Sequence, residues 1–154
     1  MSESLAVIGS TLPATTPAAL DKVRVAEERV MQLEQAPIQT EHILHGGMYS
    51  RTVRLIPGTV IVGALLKVPT VLIVNGSTKV MAGEKWYDLE GYNIMPASRG
   101  RKQIFVTTGP TEITMIFATK AKTVEEAEAE FSDECDKLLS RRQGDDDLVT
   151  ITGE

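Results

Sequence analysis

The chain has a single cysteine, Cys135, in 154 residues, so no internal disulfide can form and no Cys cluster is available for structural zinc. Histidine is nearly as scarce, with His42 and His45 alone, and aromatic residues make up only 5%. Platforms for nucleic acid want aromatics interleaved with basic residues. The one aromatic pair, Trp86-Tyr87, is flanked by Glu84 and Asp88 as well as Lys85, so nucleic acid is not an expected partner. No apolar run approaches the roughly 18–20 residues that span a bilayer. No basic region precedes the short apolar patch at residues 5–8, which argues against a secretory signal and for a cytoplasmic place, with no membrane partner. A Gly-x-Ser-x-Gly elbow and a Walker-type phosphate loop are also missing.

What is present is a core: 42% of residues are apolar and 24% charged, the balance of one globular domain. The net charge of −5 hides a division. Residues 123–154 hold eleven acids against three bases, leaving +3 on residues 1–122. Opposite charge on two parts of one chain suits either an internal clamp or contact between copies.

Residues 1–15 mix Ser, Thr, Gly and Pro without a period and read as a flexible arm. Thr16-Pro17 is a helix start, and Ala19, Val23, Ala26, Val30 and Leu33 form one apolar stripe, which predicts a helix over 16–36. The stripe either docks on the body or pairs with a second copy. From about residue 40 to 119, short β-prone runs alternate with turns, and no helical stretch separates them. The runs fall at 48–56, 59–66, 70–74, 77–81, 85–89, 92–95, 103–107 and 112–118, with Asn75-Gly76 expected as a type I′ hairpin turn. A mainly β fold with a closed barrel or sandwich follows. Thr123 then caps a second helix over 123–142, acidic at its start and basic at its end. Residues 143–154 read as an acidic tail.

Ile56-Pro57-Gly58-Thr59 leading to Gly63, then residues 71–76, and Leu89-Glu90-Gly91 through Met95-Pro96 to Arg101 together resemble the cupin fold, a small antiparallel jelly-roll barrel. Gly47-Met48-Tyr49-Ser50-Arg51 followed by Ile56-Pro57-Gly58 is similar, more narrowly, to short cupin-like proteins of tailed bacteriophages and prophages. The resemblance implies one barrel over about 40–119, flanked by the two helices. It also implies metal-ligand histidines, and these do not carry over. Gly63-Ala64-Leu65-Leu66-Lys67 stands where His-x-His or Gly-x-x-His is expected, Pro69-Thr70 where a glutamate is expected, and Arg101 where the last histidine should fall. Apolar and cationic side chains cannot ligate a divalent metal, so no cofactor is expected.

Two candidate sites remain. His42 and His45, with Glu41 beside them, are a weak metal pair, because in a strand their spacing sends them to opposite faces. Ser98-Arg99-Gly100-Arg101-Lys102 is the dense basic cluster, placed by the cupin resemblance near the barrel mouth. Arg99, Arg101 and Lys102, extended by Tyr49, Arg51 and Lys67 if these face inward, would hold an anion such as a sugar or nucleotide derivative. The competing reading is a solvated turn, or pairing with the acidic C-terminal helix of the same or a neighbouring chain. Cys135 lies on the apolar stripe of an acidic helix, where a thiolate is disfavoured. The expected function is a non-catalytic binding or structural module, phage-encoded, self-assembling through its helices and acidic tail, and associated with the virion or other phage structural proteins. The alternative is a metal-independent enzyme or receptor for an anionic small molecule.

Overall fold

The computed structural model describes residues 11–154. Among the described residues, eight strands and three α-helices form a curled β-barrel with helices packed outside it, the flanked single barrel expected from the sequence. No helix among the described residues is long and apolar enough to cross a membrane.

Helix α1 (Pro17–Met31) starts as expected, with the Thr16 hydroxyl accepting from the Ala19 N–H at 3.2 Å. It ends at Met31, short of Pro37, and the Gln35 side-chain amide donates to the carbonyls of Val30, in its last turn, and Leu33, just beyond it. Ala19 and Val23 are buried against the barrel, whereas Leu33 at the end of the stripe is exposed. Residues 11–15 are not a free arm. Leu12 is 1% exposed, its N–H donates to the Pro96 carbonyl, and its own carbonyl accepts from Ser98 N–H. Residues 1–10 of the expected arm lie outside the described residues.

Strands β1 (Gln39–His45) and β2 (Met48–Leu55) form a hairpin closed by Gly46-Gly47, both at positive φ (59° and 73°), the type I′ geometry. The expected I′ turn at Asn75-Gly76 is no turn. β4 (Thr70–Ala82) runs straight through it and pairs along its full length with β5 (Lys85–Ala97). Gly76 is needed there for another reason: at φ 144°, a Cβ would stand 2.3 Å from the Pro110 carbonyl oxygen. The β6–β7 turn presses on β4 at this point. β4 changes neighbours across it, pairing β7 (Thr111–Ala118) before Gly76 and β6 (Ile104–Thr107) after it. β3 (Val60–Val62) pairs β6 at the far edge of the same curled sheet.

The expected continuous helix over 123–142 is broken. α2 (Val124–Phe131) ends at Ser132, whose backbone is extended and whose hydroxyl accepts from Glu134 N–H. A single 3₁₀ turn (Cys135–Lys137) and α3 (Leu139–Arg142) follow. The break lets Glu134 and Ser140 reach the barrel, as described below. The acidic tail is not a tail either: β8 (Leu148–Ile151) adds to β1 in parallel, at the edge of the sheet. Gln143 ties this segment down, accepting from Ile38 N–H and donating to the Ala36 carbonyl.

Candidate functional site

Alternation along β1, β2 and β7 sends Thr40, His42 and Leu44, then Tyr49, Arg51 and Val53, then Ile113, Met115 and Phe117 to the inner side. Part of that interior stays open as a cavity of about 160 Å³. Its wall is mainly apolar, with Leu72, Phe105, Ile113, Met115 and Phe131 from the barrel and α2. One side is supplied from outside the barrel, by Glu27 of α1 and by Glu134, Lys137 and Leu138 of the C-terminal segment.

Two guanidinium groups line this cavity, and their surroundings differ. Arg51, on β2, donates to Glu128 Oε2 at 3.0 Å and to the Ser140 hydroxyl at 2.9 Å, and its Cζ lies 5.6 Å from the centre of the Phe131 ring. Glu128, only 2% exposed, also accepts from Ser140 and from Arg141 Nε at 2.9 Å. Burial alone would raise its pKa, but those two hydrogen bonds and the Arg51 charge outweigh it and hold the carboxyl below its ordinary range.

Arg101 has no such partner among the described residues. It is 1% exposed and donates to the Ser98 carbonyl and the Thr70 hydroxyl, both at 2.7 Å, both neutral acceptors. Its Nε is buried without a hydrogen-bond partner among the described residues, as is Nε2 of Gln103, which also lines the cavity. Burial pushes the Arg101 guanidinium down to about 10, still charged at neutral pH. A charge buried without a counter-ion is costly.

The other expected anion ligands are drawn elsewhere. Lys102 is buried, but its ammonium is held at 2.7 Å by both Glu27 and Glu134. Glu134, which burial would raise, is pulled down to about 2 by hydrogen bonds from Lys102, Leu65 N–H and Arg24 and by the Lys102 charge. Arg99 is exposed on the turn. Lys67 points to solvent and pairs with Asp133 at 2.7 Å. Tyr49 is inside but outside the cavity wall, with its hydroxyl 2.7 Å from His42 Nδ1. A carboxylate can only accept from His42 Nε2–H, so Asp147 Oδ2 at 3.2 Å takes that proton's bond and Nδ1 accepts the Tyr49 O–H. Burial, first, and then the Arg51 charge keep the His42 pKa below its ordinary value. His45 is on the opposite face, exposed, 2.7 Å from the Thr152 hydroxyl. The two histidines are not brought together. Cys135 is half-buried in the 3₁₀ turn.

Gln103 and Glu128 are the residues missed from the sequence. Gln103 stood at the start of a strand with nothing to distinguish it. Glu128 stood among acids, although its place four residues after Val124 and three before Phe131 puts it toward the buried face.

A divalent metal, which the cupin resemblance implies, does not fit this interior. The groups lining it include two guanidiniums and an amide, and no cluster of three His, Cys, Asp or Glu side chains suited to a metal occurs among the described residues.

No protein-family model matches the chain, and no curated protein does. Solved structures with a related fold include cupin proteins. A cupin-superfamily protein from Desulfitobacterium hafniense is 9% identical, with a TM-score of 0.46, over 57% of this chain and 83% of its own. The cupin domain of Schizosaccharomyces pombe Cnp3 is 14% identical, with a TM-score of 0.45, over 67% and 74%. A salicylate 1,2-dioxygenase from Pseudaminobacter salicylatoxidans is 15% identical, with a TM-score of 0.49, over 82% of this chain and 41% of its own. At these values the likenesses carry no argument about ligand or activity.

Proposed function

We propose that the protein is a metal-independent, non-catalytic binding barrel that receives an anionic small molecule in its cavity. The observation that carries this reading is Arg101, a charged guanidinium lining an apolar cavity with neutral acceptors only. The non-catalytic part is supported by the placement of the one His–Asp pair: His42 and Tyr49 are fully buried and do not line the cavity. A thermal-shift screen of anionic metabolites against the wild type and Arg101→Met tests it. Stabilisation by at least one anion in the wild type, lost in the variant, is expected. Equal shifts in both proteins would end the proposal.

Self-assembly is a second reading, with a specific observation in its favour. β8 is an edge strand whose Leu148, Val149 and Ile151 are each about half exposed, and an unpaired apolar edge is a template for another strand. Glu128, Asp133, Glu134 and Asp147 meet bases of their own chain, so these four acids of the segment do not themselves argue for contact between copies. A bacteriophage, virion-associated form of this reading is supported by the resemblance of residues 47–63. Light scattering across a concentration series decides the assembly: a monomer throughout contradicts it.

A further inference from the structure

We propose that the ligand is a small monocarboxylate with an apolar body, its carboxylate accepting hydrogen bonds from Arg101 and from the side-chain amide of Gln103. This rests on the anion reading above and narrows it to one chemical class.

Charge comes first. Arg51 is matched by Glu128, and Lys137 faces Glu27 at 4.0 Å, so of the cations lining the cavity Arg101 is the one with no carboxylate partner among the described residues. One unmatched positive charge calls for one negative charge. A phosphate monoester carries nearly two at neutral pH. A second carboxylate reaching across the cavity would meet Glu27 and Glu134.

The donors also suit a carboxylate. Arg101 spends two hydrogen bonds on Ser98 and Thr70 and keeps a buried Nε–H, while Gln103 keeps a buried amide nitrogen. A planar guanidinium edge complements a planar, two-oxygen acceptor, and the Gln103 amide on the same cavity wall is a further donor. Binding would satisfy both orphaned donors and neutralise the buried charge in one step.

Size and polarity fix the rest of the molecule. An apolar cavity of about 150 Å³ is large enough for a benzene ring, and this one is about 160 Å³. The several hydroxyls of a sugar or nucleotide suit poorly a wall that is mainly apolar, where Leu72, Phe105, Ile113 and Met115 offer no hydrogen bonds. A branched or ring-shaped body of about five to seven carbons fits. This sets aside the sugar and nucleotide derivatives expected from the sequence.

The test is calorimetric and NMR titration of the full chain with 3-methylbutanoate and benzoate, with their uncharged amides, and with inorganic phosphate and ribose 5-phosphate. The acids are expected to bind, the amides at least about tenfold more weakly, and the phosphates not at all, since a charge-assisted hydrogen bond is worth about that factor or more. Arg101→Met should abolish binding, and Gln103→Leu should weaken it about tenfold. If ribose 5-phosphate binds through Arg101 and the acids do not, the carboxylate class is wrong while the anion reading stands. If acids and amides bind equally, or Arg101→Met binds the acids like the wild type, both are wrong. Binding of no anion at millimolar concentration overturns both as well. Should Arg101→Met fail to fold, the acid–amide pairs and Gln103→Leu still decide the outcome.

Discussion

The barrel interior has two ends, each with a buried arginine, and they are built to opposite plans. At one end Arg51 on β2 is locked by Glu128, with Ser140, Arg141 and the Phe131 ring completing the surroundings. At the other, Arg101 on the loop after β5 meets a carbonyl and a hydroxyl and retains an unused N–H. The first arrangement joins barrel to C-terminal segment and gives the guanidinium a carboxylate counter-charge of its own. The second leaves a charge with no carboxylate partner among the described residues. Both arginines are buried, so burial alone does not mark a site. What separates them is whether the chain itself supplies the counter-charge.

Removing the counter-charge at the paired end should give the largest effect. Glu128→Ala strands Arg51 in the interior and is expected to cost about 3–5 kcal/mol of stability in urea unfolding. Adding Arg51→Met to Glu128→Leu should restore much of the loss, because no charge is then left unpaired. If the single variant loses under 1 kcal/mol, Arg51 is not dependent on Glu128 and the contrast collapses.

Acid should strip the paired cations, Arg51 and Lys102, of their counter-charges. Glu128 and Glu134 both titrate below their ordinary range in the folded state. Their contribution is therefore present above the unfolded carboxylate value and lost as pH falls through it toward the folded one, about 2 for Glu134. A decline on the order of 2–3 kcal/mol between about pH 5 and pH 2 is expected from Glu134. Glu134→Gln should flatten that part of the curve, and an unchanged slope would refute the assignment.

The smallest change is expected at the unpaired end. Arg101→Met gives up two neutral hydrogen bonds but also removes an uncompensated charge, and these effects offset to within about 1 kcal/mol. A loss as large as that of Glu128→Ala would mean that Arg101 is structural.

Much of this frame was legible before any coordinates. Pro and Gly punctuation marks local chain direction, and the strand runs lie close to where their patterns put them. Arg101 was visible because bases are dense around it. The errors share a cause in contacts far apart in sequence. Asn75-Gly76 satisfies every local rule for a turn, yet Gly76 is there because the β6–β7 turn crosses it. Lys102 and Arg101 are adjacent and chemically alike, but only Lys102 meets Glu27 and Glu134. Residues 143–154 look like solvent-borne acid until β1 supplies the strand that β8 joins.

That last strand has a consequence for the order of assembly. The β4–β5 hairpin pairs neighbours in sequence around a turn at Gly83 and can form early, since little chain must be closed. β8 reaches back to β1 across most of the protein, as when His45 meets Thr152, 107 positions away, and all four of its residues are exposed. It is the element with the most chain to close and the least buried surface in return. Amide exchange should find β8 opening first and, on refolding, gaining protection last.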